Sequence, residues 1–156
     1  MYTSFTGESN FSLTMSDRSV SIDPSDNWNG AGDVSVVATD PAGASYTRTF
    51  TVNVQPVVDA PVITQLDSQT VAEDGSITLS LAATDVDAGD SQTFSVAPVD
   101  NISGSISSDG NSVVLTPDAD FFGERAVSVT VTDGDDLTDV TNFILTVSPV
   151  NDAPII

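Results

Sequence analysis

The sequence of 156 residues contains no cysteine, no histidine and no lysine. Without cysteine there is no disulfide, no thiolate nucleophile and no cysteine-ligated zinc. Without histidine, Ser-His-Asp and Cys-His catalysis and most transition-metal sites are excluded. Without lysine, a Schiff base and a phosphate-binding P-loop are excluded too. We therefore predict that the chain is not an enzyme.

Basic residues are almost missing, since three arginines stand against 20 aspartates and three glutamates and the net charge is −20. Such a surface offers phosphate no basic patch, so we expect no nucleic-acid partner. No stretch approaches the roughly 18 apolar residues of a membrane span, so we expect no direct membrane insertion. The acidic residues instead favour the binding of a hard cation with oxygen ligands. Such an ion could stabilise a protein that has no disulfides.

No useful length of the chain has a helical period, whereas several runs alternate apolar and polar residues as β-strands do. The clearest are residues 126–132 and 143–147. Further strands are predicted at 62–66, 76–83, 92–97, 103–107 and 112–116, separated by turns rich in Asp and Gly. About seven short strands in roughly 90 residues predict an all-β fold, a Greek-key β-sandwich.

The chain contains an internal repeat at an offset of 93 residues. Residues 19–61 match residues 112–154 without a gap, and 16 of the 43 positions are identical. We interpret 62–150 as one full repeat and 1–58 as the C-terminal part of a truncated repeat, with linkers at 59–61 and 151–156. We expect the chain to be a fragment of a longer array, with residues 1–18 poorly ordered because the truncated repeat leaves an apolar face open.

The acidic residues of the full repeat lie in four loops, at residues 73–74, 85–90, 118–124 and 133–136. An Asp-x-Asp pair leaving a strand places two short carboxylates on one side of a turn, which suits calcium. A solvated turn is the alternative for each pair alone, since Asp is common in turns. No loop has the pattern of an EF-hand, so any site must be assembled from several loops.

Five short segments carry a family resemblance: Ala72-Glu73-Asp74, the Ala-Thr-Asp-Val-Asp-Ala-Gly-Asp of 83–90, the Thr-Pro-Asp-Ala-Asp-Phe-Phe-Gly of 116–123, the Val-Thr-Val-Thr-Asp-Gly of 129–134, and the Val-Asn-Asp-Ala-Pro of 150–154. In order and spacing they resemble the cadherin-like tandem repeats of large bacterial surface adhesins of the RTX type. The resemblance implies a cadherin-like or Ig-like sandwich with calcium at the junctions between repeats. It also implies an extracellular location on the bacterial surface, with the export signal outside this stretch of chain.

Carried over by position, the resemblance implies two sets of calcium ligands. One set is Asp59, Asp85, Asp87 and Asp133. The other is Glu73, Glu124, Asn151 and Asp152, with partners in a following repeat. The implied function is that of a calcium-binding structural or adhesive repeat. Its partners are neighbouring repeats of the same chain, and cell-surface or polysaccharide ligands are contacted through other domains.

A carbohydrate-binding module of a secreted polysaccharide-degrading protein is the alternative function. It would need exposed aromatic side chains as sugar platforms. Trp28 aligns with Phe121 in the repeat, which predicts a packing position rather than a platform. Tyr46 aligns with Asp139 in a turn and is expected to be exposed, but one tyrosine makes a small binding face.

Overall fold

A computed structural model describes residues 2–7, 9–16, 19–87 and 89–153. All regular elements in these ranges are β-strands, and no helix there is long and apolar enough to cross a membrane. The strands are β1 (Tyr2–Gly7), β2 (Phe11–Ser16), β3 (Ser19–Pro24), β4 (Gly30–Thr39), β5 (Ser45–Val54), β6 (Val62–Ile63), β7 (Gln69–Ala72), β8 (Ile77–Ser80), β9 (Ala83–Thr84), β10 (Thr93–Val96), β11 (Ile102–Ile106), β12 (Ser112–Pro117), β13 (Gly123–Thr132) and β14 (Thr138–Ser148).

The chain divides into two compact units, unit 1 at residues 1–57 and unit 2 at residues 58–156. Unit 2 contains a four-stranded sheet in the order β10-β13-β14-β7 and a three-stranded sheet in the order β11-β12-β8. A short pair, β6-β9, forms a separate two-stranded sheet. The all-β sandwich predicted from the sequence is confirmed.

The centre of unit 2 is the antiparallel pair β13-β14. Its register runs from Gly123 opposite Val147 to Thr132 opposite Thr138. The alternation seen in the sequence places one face of each strand in the core, because successive side chains of a strand point to opposite faces. The buried residues of this face are Val127, Val129, Val131, Phe143, Leu145 and Val147, and they pack with Val113 and Leu115 of β12.

Strand β7 was not predicted from the sequence. It pairs in parallel with the end of β14, with Gln69 opposite Leu145 and Ala72 opposite Ser148. Only Val71 of this strand is buried, so the segment lacks the long alternation that marks the central strands. A strand of four residues with one apolar anchor gives too short a pattern to be recognised.

Unit 1 consists of the sheet β1-β4-β5 and the hairpin β2-β3. Its strands β3, β4 and β5 begin 93 residues before β12, β13 and β14, and Gly30 lies opposite Val54 as Gly123 lies opposite Val147. Residues 1–18 were expected to be poorly ordered, which stays a prediction; within them the structure describes strands at 2–7 and 11–16. These stretches form strands because β1 pairs with β4 and β2 pairs with β3.

Trp28 is a packing residue of unit 1. Its indole meets the Phe11 ring edge to face, with centroids 5.0 Å apart and an interplanar angle of 83°. Gly30 lies beneath the indole with a φ of 137°, and a Cβ there would approach Trp28 Cζ2 to 3.3 Å. The position therefore needs glycine, both for its backbone conformation and for the close approach of the ring.

Arg125 is the one basic residue in the sequence of unit 2, and its side chain holds a loop in place. Its Nε donates to the Asp100 carbonyl at 3.0 Å, and its Nη2 donates to Asn101 Oδ1 at 2.8 Å. The guanidinium also lies 4.2 Å from the centroid of the Phe121 ring, a cation–π contact. This arginine is thus occupied at the start of β13, away from the acidic loops at residues 85–90 and 133–136.

Two phenylalanines at equivalent positions differ in exposure, so we expect their replacement by alanine to destabilise the two units by different amounts. Phe143 is 5% exposed and Phe50 is 42% exposed. We expect Phe143→Ala to lower the free energy of unfolding of unit 2 by about 3–5 kcal/mol. Phe50→Ala should cost unit 1 roughly half as much or less, because its ring already contacts water. Urea unfolding followed by hydrogen exchange of each unit measures both costs, and equal costs would contradict the burial difference.

Candidate metal centre

The loop after β9 is folded around its own carboxylates. Asp85 Oδ1 accepts a hydrogen bond from the Asp87 amide at 2.9 Å, which turns the chain directly after the strand. Asp87 Oδ2 accepts the amide of Asp59 at 2.8 Å and so ties the start of unit 2 to this loop. Gly89, with a φ of 89°, then redirects the chain so that Asp90 returns toward Asp85.

The loop between β13 and β14 supplies a third carboxylate. Asp133 is 6% exposed, and its Oδ1 accepts the amides of Asp135 at 2.9 Å and Leu137 at 2.8 Å. These bonds fix the turn and leave Oδ2 free to face the other loop. Asp136 takes a φ of 65° in this turn, a left-handed conformation that Asp tolerates better than most residues.

The two loops bring Asp85, Asp90 and Asp133 together, with one carboxylate oxygen of each within 4.8 Å of the others. The Oδ2 atoms of all three are buried and have no hydrogen-bond partner. At 4.8 Å, two full negative charges repel by about 3 kcal/mol at an effective dielectric constant of about 20. Burying a hydrogen-bond acceptor without a donor also costs free energy, so a bound cation would stabilise this arrangement.

Gly134 makes the close approach of the two loops possible. A Cβ at this position would collide with Oδ1 of Asp90, while the backbone of Gly134 does not take a positive φ. The contact shows that the carboxylate of Asp90 is pressed against the backbone of the β13-β14 turn. The three carboxylates therefore form one cluster, which we call the entry cluster because it lies where the chain enters unit 2.

The sequence placed Asp59, Asp85, Asp87 and Asp133 in one set. The structure brings the carboxylates of Asp85 and Asp133 together. The Asp87 amide donates to Asp85 and the Asp59 amide donates to Asp87, but the carboxylates of Asp59 and Asp87 are not part of the cluster. Asp90 was not among the proposed ligands. The sequence does contain one indication of its position: Gly89 directly precedes Asp90, and a glycine can reverse the direction of the chain.

The second proposed set lies at the opposite end of unit 2 and is only partly assembled. Glu73 is 4% exposed, and its Oε1 accepts the Val150 amide at 2.5 Å. Asp152 lies near Glu73, Asp74 and Asp120. Neither Asp74 nor Asp120 was in the predicted set.

The other two residues of the predicted set are Asn151 and Glu124. Asn151 donates from Nδ2 to the Asp152 carbonyl at 3.3 Å. Glu124 is exposed on β13, opposite Thr146. The two acidic ends of unit 2 are separated by the ten residues of β13, about 30 Å of strand.

The aromatic residues of the carbohydrate alternative lie in unit 1 and differ in exposure. Trp28 packs against Phe11, whereas Tyr46 is 70% exposed beside an open cavity of about 360 Å³. Of these two aromatic residues, only Tyr46 has the exposed ring that a sugar platform would need.

A family model described as "Bacterial Ig domain" matches residues 58–146, which contain both loops of the entry cluster. The chain belongs to the bacterial Ig domain family. No curated protein matches it significantly. The matched residues also contain Glu73, Asp74 and Asp120 of the second acidic end, whereas Asn151 and Asp152 follow the match.

Solved structures of cadherin domains share the fold. A protocadherin gammaB7 EC3-6 cis-dimer structure matches with a TM-score of 0.56 and 19% identity, covering 94% of this chain and 41% of that one. Protocadherin gamma B2 extracellular cadherin domains 1-5 match with a TM-score of 0.54 and 17% identity, covering 97% of this chain and 33% of that one. The chain spans less than half of each. The cadherin-like resemblance is confirmed as a likeness of fold.

Asp152 provides a pH-dependent probe of the second acidic end. Partial desolvation raises the pKa of Asp152 above its usual value, and the negative charges of Asp74, Asp120 and Glu73 raise it further. A raised carboxyl pKa means that the folded state binds the proton more readily than the unfolded state. This group therefore favours folding more as the pH falls through its folded pKa, and that contribution is lost as the pH rises.

We expect Asp120→Asn to lower the pKa of Asp152 toward its usual value, because the variant removes one charge and changes one hydrogen-bond partner. Carboxyl-carbon NMR titration of wild type and variant measures this shift. Asp100→Asn is the control, since Asp100 does not contribute to the shift at Asp152. An unchanged Asp152 pKa in Asp120→Asn would contradict the proximity of these groups.

Proposed function

We propose that this chain is a non-catalytic, calcium-binding structural repeat of an extracellular bacterial surface protein. The observation that carries the proposal is the entry cluster, in which three carboxylates from two loops direct buried, unpartnered oxygens toward one another. Membership in the bacterial Ig domain family and the cadherin-like fold support a structural role. Calcium binding is the step that the experiments below test.

Calcium suits the cluster better than other common ions. Carboxylate oxygens are hard ligands, and the sequence contains neither the histidine nor the cysteine that zinc or copper prefers. Magnesium demands a tight octahedron and releases its water reluctantly, whereas calcium accepts six to eight oxygens in a flexible arrangement. Further ligands would come from water and from neighbouring oxygens. Asp87, which donates to Asp85, and Asp59, which donates to Asp87, are the proposed sources.

The position of the entry cluster gives the proposed ion a mechanical role. Asp59 stands in the linker at the start of the Ig domain, and its amide is already bonded to Asp87. An ion bound to these loops would hold the incoming chain against the domain, whereas without it the carboxylates repel and loosen this attachment. Calcium would thereby stiffen the connection between consecutive repeats of an adhesive array, and neighbouring repeats of the same chain are the proposed partners.

The second acidic end would act in the same way toward a following repeat. Glu73 already holds Val150 of the outgoing chain, and Asp152 follows two residues later. Ligands from another domain would be needed to complete a site there. Contacts with cell-surface or polysaccharide ligands are assigned to other domains, because Tyr46 alone makes a small platform.

Calcium should raise the melting temperature of the chain, and magnesium at equal ionic strength should not. Extracellular calcium modules bind with dissociation constants of about 10⁻⁴ to 10⁻³ M. At about 1 mM calcium the gain would then be roughly 0.4 to 1.4 kcal/mol in the free energy of unfolding. Differential scanning calorimetry in chelator, magnesium and calcium measures the shift, and isothermal titration gives the affinity.

The double variant Asp85→Asn with Asp90→Asn should lose most of the calcium-dependent gain. Its matched control is Asp67→Asn with Asp100→Asn, which removes the same charge from exposed residues outside the cluster. If chelator and calcium give the same melting curve, or if both double variants respond alike, the acids form only a solvated surface and the proposal fails.

Gly134→Ala tests the geometry without changing any charge. The added methyl group would push the Asp90 carboxylate away, so we expect calcium affinity to fall by about tenfold or more while the domain stays folded. Asp135→Ala in the same turn is the control, because its side chain is exposed and outside the cluster. A normal calcium response in Gly134→Ala would show that the two loops do not meet at the ion.

A further inference from the structure

The charges of unit 2 are concentrated in its loops. Residues 58–156 contain 17 acids and one arginine, and of these acids only Glu124 and Asp139 lie within the strands that the structure describes. The carboxylate of Asp139 is turned toward β6, because its Oδ2 accepts the Ile63 amide at 2.9 Å. A large net charge keeps copies of a protein apart in solution. The nearly neutral outward faces of the sheets are therefore the places where a molecule of the same charge can approach.

The outward face of the central pair β13-β14 carries a small apolar patch. Three cross-strand pairs form it, and we call them the outer patch: Ala126 opposite Ile144, Ser128 opposite Asn142, and Thr130 opposite Val140. Val140 is 42% exposed and Ile144 is 39% exposed. Between them, Ser128 Oγ donates to Asn142 Oδ1 at 2.5 Å, so these two polar groups satisfy each other within the sheet. The patch can therefore be removed from water at a small polar cost.

The same face of unit 1 has polar residues at the equivalent positions. At the offset of 93 residues, Thr47 and Thr51 stand in place of Val140 and Ile144. Thr51 lies opposite an acid, Asp33, and its Oγ1 donates to Asp33 Oδ1 at 2.7 Å. The strand pairing thus accepts threonine at both positions and does not require the exposed valine and isoleucine of unit 2. Exposed apolar side chains grouped on one face are typical of a contact surface.

We propose that the outer patch is a side-by-side contact between two copies of this chain, in which the β10-β13-β14-β7 sheets of two Ig domains pack face to face. Sheets pack in this way about 10 Å apart, with their side chains interdigitating. A two-fold axis in the plane of contact brings the same patch of both copies together, so that Val140 and Ile144 of each copy are covered by the other. The contact uses no residue of the entry cluster and does not depend on calcium.

A second copy suits the outer patch better than a partner of another chemistry. None of the six residues is charged, so the patch attracts neither a basic nor an acidic partner. None is aromatic, so a sugar ring finds no surface to stack on. The next outward residue along β13 is Glu124, opposite Thr146, and it lies at one end of the patch. Two copies can therefore meet at the centre of this face without bringing carboxylates together.

The size of the face predicts a weak contact. Strands β13 and β14 have ten and eleven residues, and β10 and β7 have four each. At about 3.3 Å per residue and about 4.8 Å between strands, this sheet offers a face of roughly 450 Å² per copy. Two copies would bury about 900 Å², which is less than the roughly 1,200 Å² of a stable dimer. Single chains should therefore associate weakly, and several linked repeats would associate more tightly through multivalency.

Sedimentation equilibrium and amide NMR spectra of the full chain at increasing concentration test the proposal. We expect a dimer with a dissociation constant of about 10⁻⁴ to 10⁻³ M, in chelator as well as in calcium. Amide signals of residues 126–130 and 140–144 should shift with concentration, and those of β11-β12-β8 should not. Raising the ionic strength should strengthen the association, because salt screens the repulsion between two chains of net charge −20.

The double variant Val140→Thr with Ile144→Thr gives unit 2 the residues that unit 1 has at the same positions, so it should fold normally. We expect it to weaken the dimer by about tenfold or more, because it removes the exposed apolar groups from both copies at once. Val114→Thr is the matched control, since Val114 lies on the outward face of β12 in the other sheet, opposite Thr78. A melting curve of each variant verifies that the domain is folded.

Four outcomes would overturn the proposal. The first is a chain that stays monomeric at about 1 mM and high ionic strength. The second is a dimer that the double variant leaves unchanged, or that Val114→Thr weakens equally. The third is a set of concentration-dependent shifts confined to the acidic loops or to unit 1. The fourth is a polysaccharide that shifts the amides of the outer patch while the chain remains monomeric, which would make a glycan the occupant.

Discussion

The ten-residue pairing of β13 with β14 is the interaction on which the rest of unit 2 depends. It buries a continuous apolar face, and its hydrogen-bonded register leaves no freedom in where either strand ends. Asp133 follows the last residue of β13, and the chain after β14 carries Val150 to Glu73. Because the core sets the strand ends, it also sets the places where acidic loops meet. The fold thus positions the carboxylates, while their mutual repulsion is left for a cation to relieve.

The strands that could be predicted from the sequence are those with a long alternation of apolar and polar residues. The alternation of β13 and β14 was readable because seven residues of β13 and five of β14 kept the period of two, and the offset of 93 aligned β3, β4 and β5 with β12, β13 and β14. Strand β7 was missed because a single buried valine makes no pattern. Asp90 was missed for another reason: its place beside Asp85 and Asp133 depends on the positive φ of Gly89 and on the approach of Gly134. Contacts between loops distant in sequence are set by the packing of the sheets, which no local pattern records.

The scarcity of basic residues shapes the electrostatics as much as the abundance of acids does. Arg125 is committed to Asp100, Asn101 and Phe121, so it does not neutralise the entry cluster. A lysine or arginine near Asp133 would satisfy the buried oxygens permanently and would make the cluster indifferent to its surroundings. With 23 acids and three arginines, the chain leaves that neutralisation to the solution. The state of the entry cluster would then follow the ionic composition outside the protein.

The parallel pairing of β7 with β14 bears on how the Ig domain would respond to force. Strand β7 lies near the start of the domain and β14 near its end, so a pull on the two ends drives these neighbours in opposite directions along their length. Hydrogen bonds between strands loaded in this way must break together, whereas an antiparallel hairpin pulled at its open end unzips one bond at a time. The short, inconspicuous β7 would therefore act as a mechanical clamp, and the resistance of the domain to stretching would rest on residues 69–72 and 145–148 more than on its larger antiparallel pairs.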